Sequence, residues 1–434
     1  IDDKIAQKID SALNNSSHNF LFSRSKFTNA LVLSIQEDFN YILFITTFIV
    51  FLSFLISYGR IELALIAFIP MILTWIIILG IMGLFHIEFN IINIILSTFI
   101  FGIGDDYSVF TLENKLVYYK TGKDHESLNR ESIYLSLIGT ILSLSILVFA
   151  KHPALKSIAL ISSIGLFTVF IVSQILIPIL FNFYIQYRAN KKLAPYTLLN
   201  LITTFTSYTY FAFGGIILSI LAYILIYPLS FIDLRKRKKF FHLLICYFTK
   251  SLVYMMFNIK KTFIDKQNLN FKQPSILIAN HQSFLDILLT IMLNPHLILM
   301  VNKWVWESPI FGKVVQFADY IPTSENMEVD IEKIKTKLSE GYSILIFPEG
   351  TRSIDCNLKR FKKGAFYLSE QLKVDITPIL IHGTGHTVKK GDWQLMNNSI
   401  TLKVLPRIPF LDNSFGDTYQ ERTKSISSYF KMNY

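Results

Sequence analysis

The sequence predicts a multi-pass α-helical membrane domain followed by an α/β domain, and three observations carry that expectation. First, apolar residues make up 52% and charged residues 17% of the 434 residues, where soluble domains carry roughly 25% charged. The mean hydropathy is +0.42. Second, the first half holds a succession of apolar runs near the ~20 residues that a helix needs to cross the hydrocarbon core. Third, after about Phe240 the runs shorten and alternate with amphipathic stretches, as in an α/β domain. The length accommodates two or three domains at ~100–200 residues each. The two cysteines, Cys246 and Cys356, exclude a disulfide framework and an all-cysteine metal site. A net charge of +11 suits nucleic acid or an anionic membrane, and the apolar runs decide for the membrane.

Residues 1–40 are polar and mixed in charge, unlike a signal peptide. Opening on Ile1, the chain reads as a fragment of something longer. Apolar runs at 41–58, 61–85, 89–110, 132–150 and 155–184 are expected to span as helices, because lipid forces backbone groups to be satisfied internally. The loop 113–131 carries Lys115, Lys120, Lys123 and Arg130, and 188–192 carries Arg188, Lys191 and Lys192. The opposite breaks hold fewer cations, so the positive-inside rule places the end of the fifth span in the cytoplasm and 1–40 outside.

The apolar region 198–232 has basic flanks on both sides, and 235–239 reads RKRKK. A re-entrant or hairpin segment, bent near Gly214, Gly215 and Pro228, keeps both flanks inside. Residues 188–249 are therefore expected to be a basic linker with such a segment. The RKRKK run reads as a lipid-phosphate anchor, worth about 1 kcal/mol per charge, or as ordinary flanking charge. Beyond it, strands are expected at 275–279, 343–347, 374–381 and 400–405, with helices at 283–293 and 328–340. These define a domain over 250–434.

The third apolar run contains Gly102, Ile103, Gly104, Asp105, Asp106 and Tyr107. A carboxylate inside a span costs about 2.5–3.5 kcal/mol and marks function by default. The alternative is solvation at the cytoplasmic end, with Gly102 and Gly104 serving close helix contacts. The run FGIGDDYSVF and the helix layout resemble the second membrane half of a resistance-nodulation-division exporter, of the mycobacterial large membrane protein branch, over about 2–187. That resemblance implies a proton relay through Asp106 and Tyr107. Asp105 stands where the family has an apolar residue, so either aspartate can titrate. It also implies a missing N-terminal exporter half as partner, with 1–40 the tail of an external domain and 41–187 a five-helix half of the membrane domain.

The second chemical signal is Asn280-His281-Gln282-Ser283-Phe284-Leu285-Asp286, directly after an apolar strand. On one continuous helix a spacing of five would point His281 and Asp286 ~140° apart. A strand–turn–helix aims them together, so that Asp286 orients the imidazole and the other ring nitrogen accepts a hydroxyl proton. The alternative is a capping-box variant with His281 in the loop. A second block, Pro348-Glu349-Gly350-Thr351-Arg352-Ser353, follows a strand and offers an anion backbone N–H, hydroxyl and a planar bidentate cation.

NHQSFLD followed by FPEGTRS resembles the 1-acylglycerol-3-phosphate acyltransferase family, over about 250–409. The resemblance implies an α/β glycerolipid acyltransferase domain. In it His281 is the general base and Asp286 its partner, with Glu349, Gly350, Thr351 and Arg352 holding the acceptor. Lys303, Trp304 and Pro309 fall in the family's intervening block, making Lys303 a further substrate-binding candidate. Pro378 falls in a looser block that reads equally well as a buried strand. One departure stands out. The family has a phosphate-gripping Arg between the two motifs, whereas 318–325 reads ADYIPTSE. With Glu325 in that stretch, weak discrimination in favour of a phosphorylated acceptor is expected, unless Lys303 or Lys362 takes over.

His382 and His386 flank glycines in a turn after a strand, a poor geometry for a metal pair, and no metal or cofactor is expected. The expected co-substrate is acyl-CoA or acyl-ACP, and the expected partners are membrane lipids, the acyl thioester donor and the exporter half, without nucleic acid. The expected function is acyl transfer to a lysophospholipid or related acceptor at a bacterial inner membrane, with the acyltransferase domain cytoplasmic. The alternative is an exporter subunit with an accessory acyltransferase domain.

Overall fold

The computed structural model describes residues 8–9, 24–86, 91–122, 126–308, 312–323 and 327–434. The chain divides into two compact units, Ile1–Thr197 and Leu198–Tyr434. Pro309 and Glu325, singled out above, lie outside the described residues, as does most of the expected external tail.

The first unit is a helical bundle: α1 (Arg24–Tyr58), α2 (Ile61–Leu84), α3 (Ile91–Thr121), α4 (Glu126–Ser145) and α5 (Pro153–Phe181). Residues 24–40, expected in the external tail, continue the first helix. Gly59, at φ +62°, makes the sharp break between α1 and α2, a conformation that costs glycine little. Helices α3 and α5 approach closely at Gly104 of α3, where a Cβ would stand 3.1 Å from Val169 of α5. That glycine therefore serves packing. Beside it Ser108 and Ser173 share a hydrogen bond of 2.9 Å.

Among the described residues, five helices are long and apolar enough to cross a membrane: Tyr41–Tyr58, Ile61–Leu84, Glu131–Phe149, Leu155–Asn190 and Leu198–Ile226. The helix over the expected third span, α3, carries Asp105 and Asp106.

The second unit opens with α6 (Leu198–Ile226) and α7 (Leu234–Met255). The bend expected near Gly214 and Gly215 is absent, because α6 runs unbroken through both glycines. The reversal falls in the turn around Pro228, the third of the expected bend positions. Tyr210 bonds Ser251 at 2.7 Å and the Arg237 guanidinium donates to the Leu225 carbonyl, so the two helices pack antiparallel. Gly214 permits this approach: a Cβ there would sit 2.0 Å from the Phe248 ring. The compact unit takes in both helices of this hairpin, over the 188–249 region expected as a basic linker with a re-entrant or hairpin segment. The RKRKK run is also only partly available to lipid. Arg237 is buried, and Lys238 pairs with Asp319 at 2.6 Å.

Behind the hairpin lies a seven-stranded sheet of order β1-β7-β6-β2-β5-β3-β4. Its strands are β1 (Ile259–Ile264), β2 (Ile276–Ala279), β3 (Leu297–Val301), β4 (Ile321–Pro322), β5 (Ser343–Ile346), β6 (Ile376–His382) and β7 (Asn398–Val404). All neighbours pair parallel except β6 with β7. Helices α8 (Leu285–Ile291), α9 (Met327–Ser339), α10 (Gly364–Leu372) and α11 (Tyr419–Asn433) accompany it. Strand β2 is buried along its whole length between β5 and β6. In open α/β sheets, sites form beyond the carboxyl ends of such strands, which is where both sequence motifs emerge.

Candidate active site

The first motif leaves β2 as a tight turn locked by side chains. The Asn280 amide donates to the Ile381 carbonyl at 2.8 Å and accepts the Ile381 N–H at 2.8 Å, so it pairs with β6 as a backbone unit would. Asp286, fully buried in the first turn of α8, has one carboxylate oxygen that does three things. It accepts the Gln282 N–H at 2.6 Å, the Ser283 N–H at 2.7 Å, and lies 3.1 Å from His281 Nδ1. With Nδ1 donating to the carboxylate, Nε2 carries the lone pair and is the atom left to accept a proton. The imidazole is further fixed by stacking on Phe347, with centroids 4.3 Å apart. Phe284 of the same turn packs edge-to-face on Phe211 of α6.

The second motif leaves β5 and closes over this turn. Glu349 is buried and accepts the His281 backbone N–H at 3.1 Å, while the Ser353 N–H donates to the His281 carbonyl at 3.0 Å. Both backbone polar groups of His281 are thus held by the Glu349–Ser353 loop. Burial pushes the Glu349 carboxyl up to about 7; the His281 and Lys359 backbone N–H groups oppose that shift, and the nearby Asp286 charge adds to it. Gly350 adopts φ +74°, and Lys362 Nζ lies 2.8 Å from where a Cβ would be. Lys359 donates to Thr351 Oγ1 at 3.1 Å and to the Arg352 carbonyl at 2.9 Å.

The structure therefore brings His281 into contact with both Asp286 and Glu349, and Gly350, Thr351 and Arg352 follow Glu349 in the same loop. The geometry of Glu349 differs from the expected role of acceptor holder: its bonded oxygen faces His281's backbone. Lys303 follows β3 at the same edge of the sheet, two strands from β2, with its side chain largely exposed and 3.8 Å from Glu307. Pro378 sits in β6 opposite Ile278 as a buried strand residue. His382 stacks on Tyr434 at 4.1 Å, and Tyr434 Oη in turn bonds Gln282 and the Cys356 carbonyl. Sequence reasoning assigned no role to Asn280, Gln282 or Tyr434, whose partners lie on distant segments.

In the first unit, Asp105 and Asp106 occupy one helix with Tyr107, and adjacent helical residues do not face each other. Tyr107 is buried against Phe170, with ring centroids 5.9 Å apart, whereas Asp106 is exposed and Asp105 half-buried. The two residues of the expected relay therefore differ in surroundings on this helix, Tyr107 buried and Asp106 exposed.

Residues 260–382 match the family model described as Acyltransferase. A 1-acyl-sn-glycerol-3-phosphate acyltransferase of Chlamydomonas reinhardtii is 33% identical over 159 residues, covering 35% of this chain and 47% of that protein. A chloroplastic protein of the same description from Arabidopsis thaliana is 29% identical, covering 37% and 46%. The human alpha form is 29% identical, covering 32% and 50%. The chain thus spans about half the length of the curated relatives it matches. Among solved structures, the 1-acyl-sn-glycerophosphate acyltransferase of Thermotoga maritima aligns with a TM-score of 0.47 at 23% identity, covering 54% of this chain and 94% of that one. The second unit carries an acyltransferase domain. None of these matches extends the exporter resemblance of the first unit.

Proposed function

We propose that the second unit transfers a fatty acyl group from a thioester donor, acyl-CoA or acyl-ACP, to the free hydroxyl of a 1-acylglycerol 3-phosphate-like lipid. The observation that carries this reading is the bond from His281 Nδ1 to buried Asp286, with the His281 backbone clamped by the Glu349–Ser353 loop. His281 Nε2 takes the acceptor's hydroxyl proton as the oxygen attacks the thioester carbonyl. The resulting imidazolium is stabilised by Asp286. The tetrahedral intermediate expels the thiolate, which takes the proton back from His281, so ester and free thiol leave together. Gly350, Thr351 and Arg352 hold the acceptor, with Lys303 at the same sheet edge. Glu349 positions the base.

The apolar hairpin helix α6, packed through Phe211 on Phe284, supports a reaction at a membrane surface. The proposed setting is the cytoplasmic face of a bacterial inner membrane. The test is to supply the full chain in detergent with oleoyl-CoA and 1-oleoyl-lysophosphatidic acid and to follow phosphatidic acid by mass spectrometry. Time-dependent product supports the reading; no ester from this or any lysolipid, with either thioester carrier, rejects it.

A second reading concerns the first unit, and the exposure of Asp106 favours it. A carboxylate on the outer face of an apolar bundle is costly in lipid and calls for a covering partner. We propose a matching exporter half as that partner, with Asp106 or Asp105 titrating at the junction. In cells with the complete assembly, Asp106→Asn is expected to stop proton-coupled lipid export while sparing acyl transfer. Unchanged export in both Asp106→Asn and Asp105→Asn would reject it.

A further inference from the structure

The acceptor loop has a cation that neither motif contains. Lys390 lies after the one-turn helix Thr384–Thr387, beyond the 260–382 family match. Its Nζ donates to the Arg352 carbonyl at 3.3 Å, the same oxygen that receives Lys359 Nζ at 2.9 Å. Two ammonium groups meeting at one carbonyl oxygen stand within the span of a single phosphate group. Each ammonium has three donors, so a bond to a carbonyl leaves donors for a ligand.

The loop that delivers Lys390 is pinned. The Met396 N–H bonds the Thr387 carbonyl at 2.8 Å, the Leu395 N–H bonds Thr204 Oγ1 of α6 at 2.9 Å, and the Asn258 amide bonds the Leu395 carbonyl at 3.2 Å. Lys390 itself is half-buried. Lys390 thus stands on a segment tied to α6 at Leu395, and its ammonium reaches the Arg352 carbonyl.

We infer that Lys390, with Lys359, supplies the second cationic arm of a phosphomonoester site, in place of the arginine that 318–325 does not contain. The inference rests on the proposed acyl transfer and names the chemistry of its acceptor. Arg352 offers a planar fork and the lysines offer point charges, together a match for a dianionic phosphate. The absent arginine alone predicts weak discrimination by phosphate. The pinned lysines reverse that expectation.

The competing role is structural, as a clamp on the Arg352 carbonyl, and it would affect every acceptor alike. The experiment compares kcat and KM of the full chain, wild type against Lys390→Ala and Lys390→Arg, with 1-oleoyl-lysophosphatidic acid and with 1-oleoylglycerol. The expected result is a KM for lysophosphatidic acid raised at least tenfold in Lys390→Ala and largely restored in Lys390→Arg. The 1-oleoylglycerol KM stays unchanged. An equal loss on both acceptors, or no loss on either, overturns the inference. If neither lipid is acylated, the acyl-transfer reading itself fails, and the inference is decided by calorimetry with soluble 1-hexanoylglycerol 3-phosphate. A Kd weakened tenfold in Lys390→Ala then supports it, and an unchanged Kd or no binding to the wild type overturns it.

Discussion

Glu349 accepts the backbone N–H of His281 at 3.1 Å across 68 residues of sequence. The Ser353 N–H returns to the His281 carbonyl at 3.0 Å. The proposed base and the proposed acceptor grip are thus one hydrogen-bonded assembly, built where β2 and β5 end side by side. A shift of either loop moves both halves of the reaction.

The first prediction follows from the charge state of Glu349. Burial holds its carboxyl at about 7, above the ordinary 4.5. The folded chain keeps this proton over a pH range in which the unfolded chain has lost it. Its contribution to stability is full below about 4.5 and is lost as pH rises through about 7. Glu349→Gln keeps an oxygen for the His281 N–H and cannot titrate. Wild-type melting temperature should therefore fall relative to Glu349→Gln as pH rises across that window. Parallel curves for the two proteins would count against a buried, proton-retaining Glu349.

The second concerns Asp286, which serves two backbone N–H groups as well as the imidazole. Asp286→Asn keeps an acceptor oxygen for the turn but removes the charge that stabilises imidazolium. It should fold, with kcat reduced by about 10²–10⁴. Asp286→Ala also strands buried N–H groups, at about 1–3 kcal/mol each, and should melt lower as well. Equal melting temperatures for the two variants would remove the structural half of this role.

How much of this could be read in the chain depends on how local each feature is. The two motifs, the strands β2, β5, β6 and β7 and the helices α8 and α9 announce themselves by apolar runs bounded by turn residues. Strand β1 did not, because IKKTFI places lysines among its apolar residues at an edge half-exposed to solvent. Strand β3, LILMV, is a run too short to separate from a helix by periodicity. Gly214 looked like a bend and is a contact, since the Phe248 ring that it admits lies on the next helix. The role of Glu349 was hidden for the same reason. Its partner is a backbone N–H on another loop, which no spacing rule encodes. Lys390 carries no motif at all.

Gly214 gives the third prediction. In Gly214→Ala the new methyl would overlap the Phe248 ring. That ring is itself stacked against Tyr210, with centroids 5.6 Å apart, so it cannot simply swing away. Overpacking of this kind costs about 1–3 kcal/mol. The α6–α7 hairpin should open first, seen as faster amide hydrogen exchange in both helices and a lower melting temperature. Wild-type exchange in the variant would mean that the helices do not approach this closely.

Gly350 gives the fourth. Its φ of +74° lies in the left-handed region, which costs a side-chain-bearing residue roughly 1–2 kcal/mol. The Cβ of Gly350→Ala would also displace the flexible end of Lys362. The protein should remain folded but lose acyl transfer efficiency mainly through a higher acceptor KM. A change confined to the donor KM would contradict the placement of the acceptor over this loop.

The central claim is that His281 removes the acceptor's proton. Its most direct measurement is the rate of phosphatidic acid formation by His281→Ala in the full chain, at saturating oleoyl-CoA and lysophosphatidic acid. His281 contributes its ring to a partly exposed site, so the variant should fold and melt close to wild type. The account predicts a fall in kcat of at least ~10²–10⁴. A variant that stays folded and turns over at a rate near wild type would contradict it.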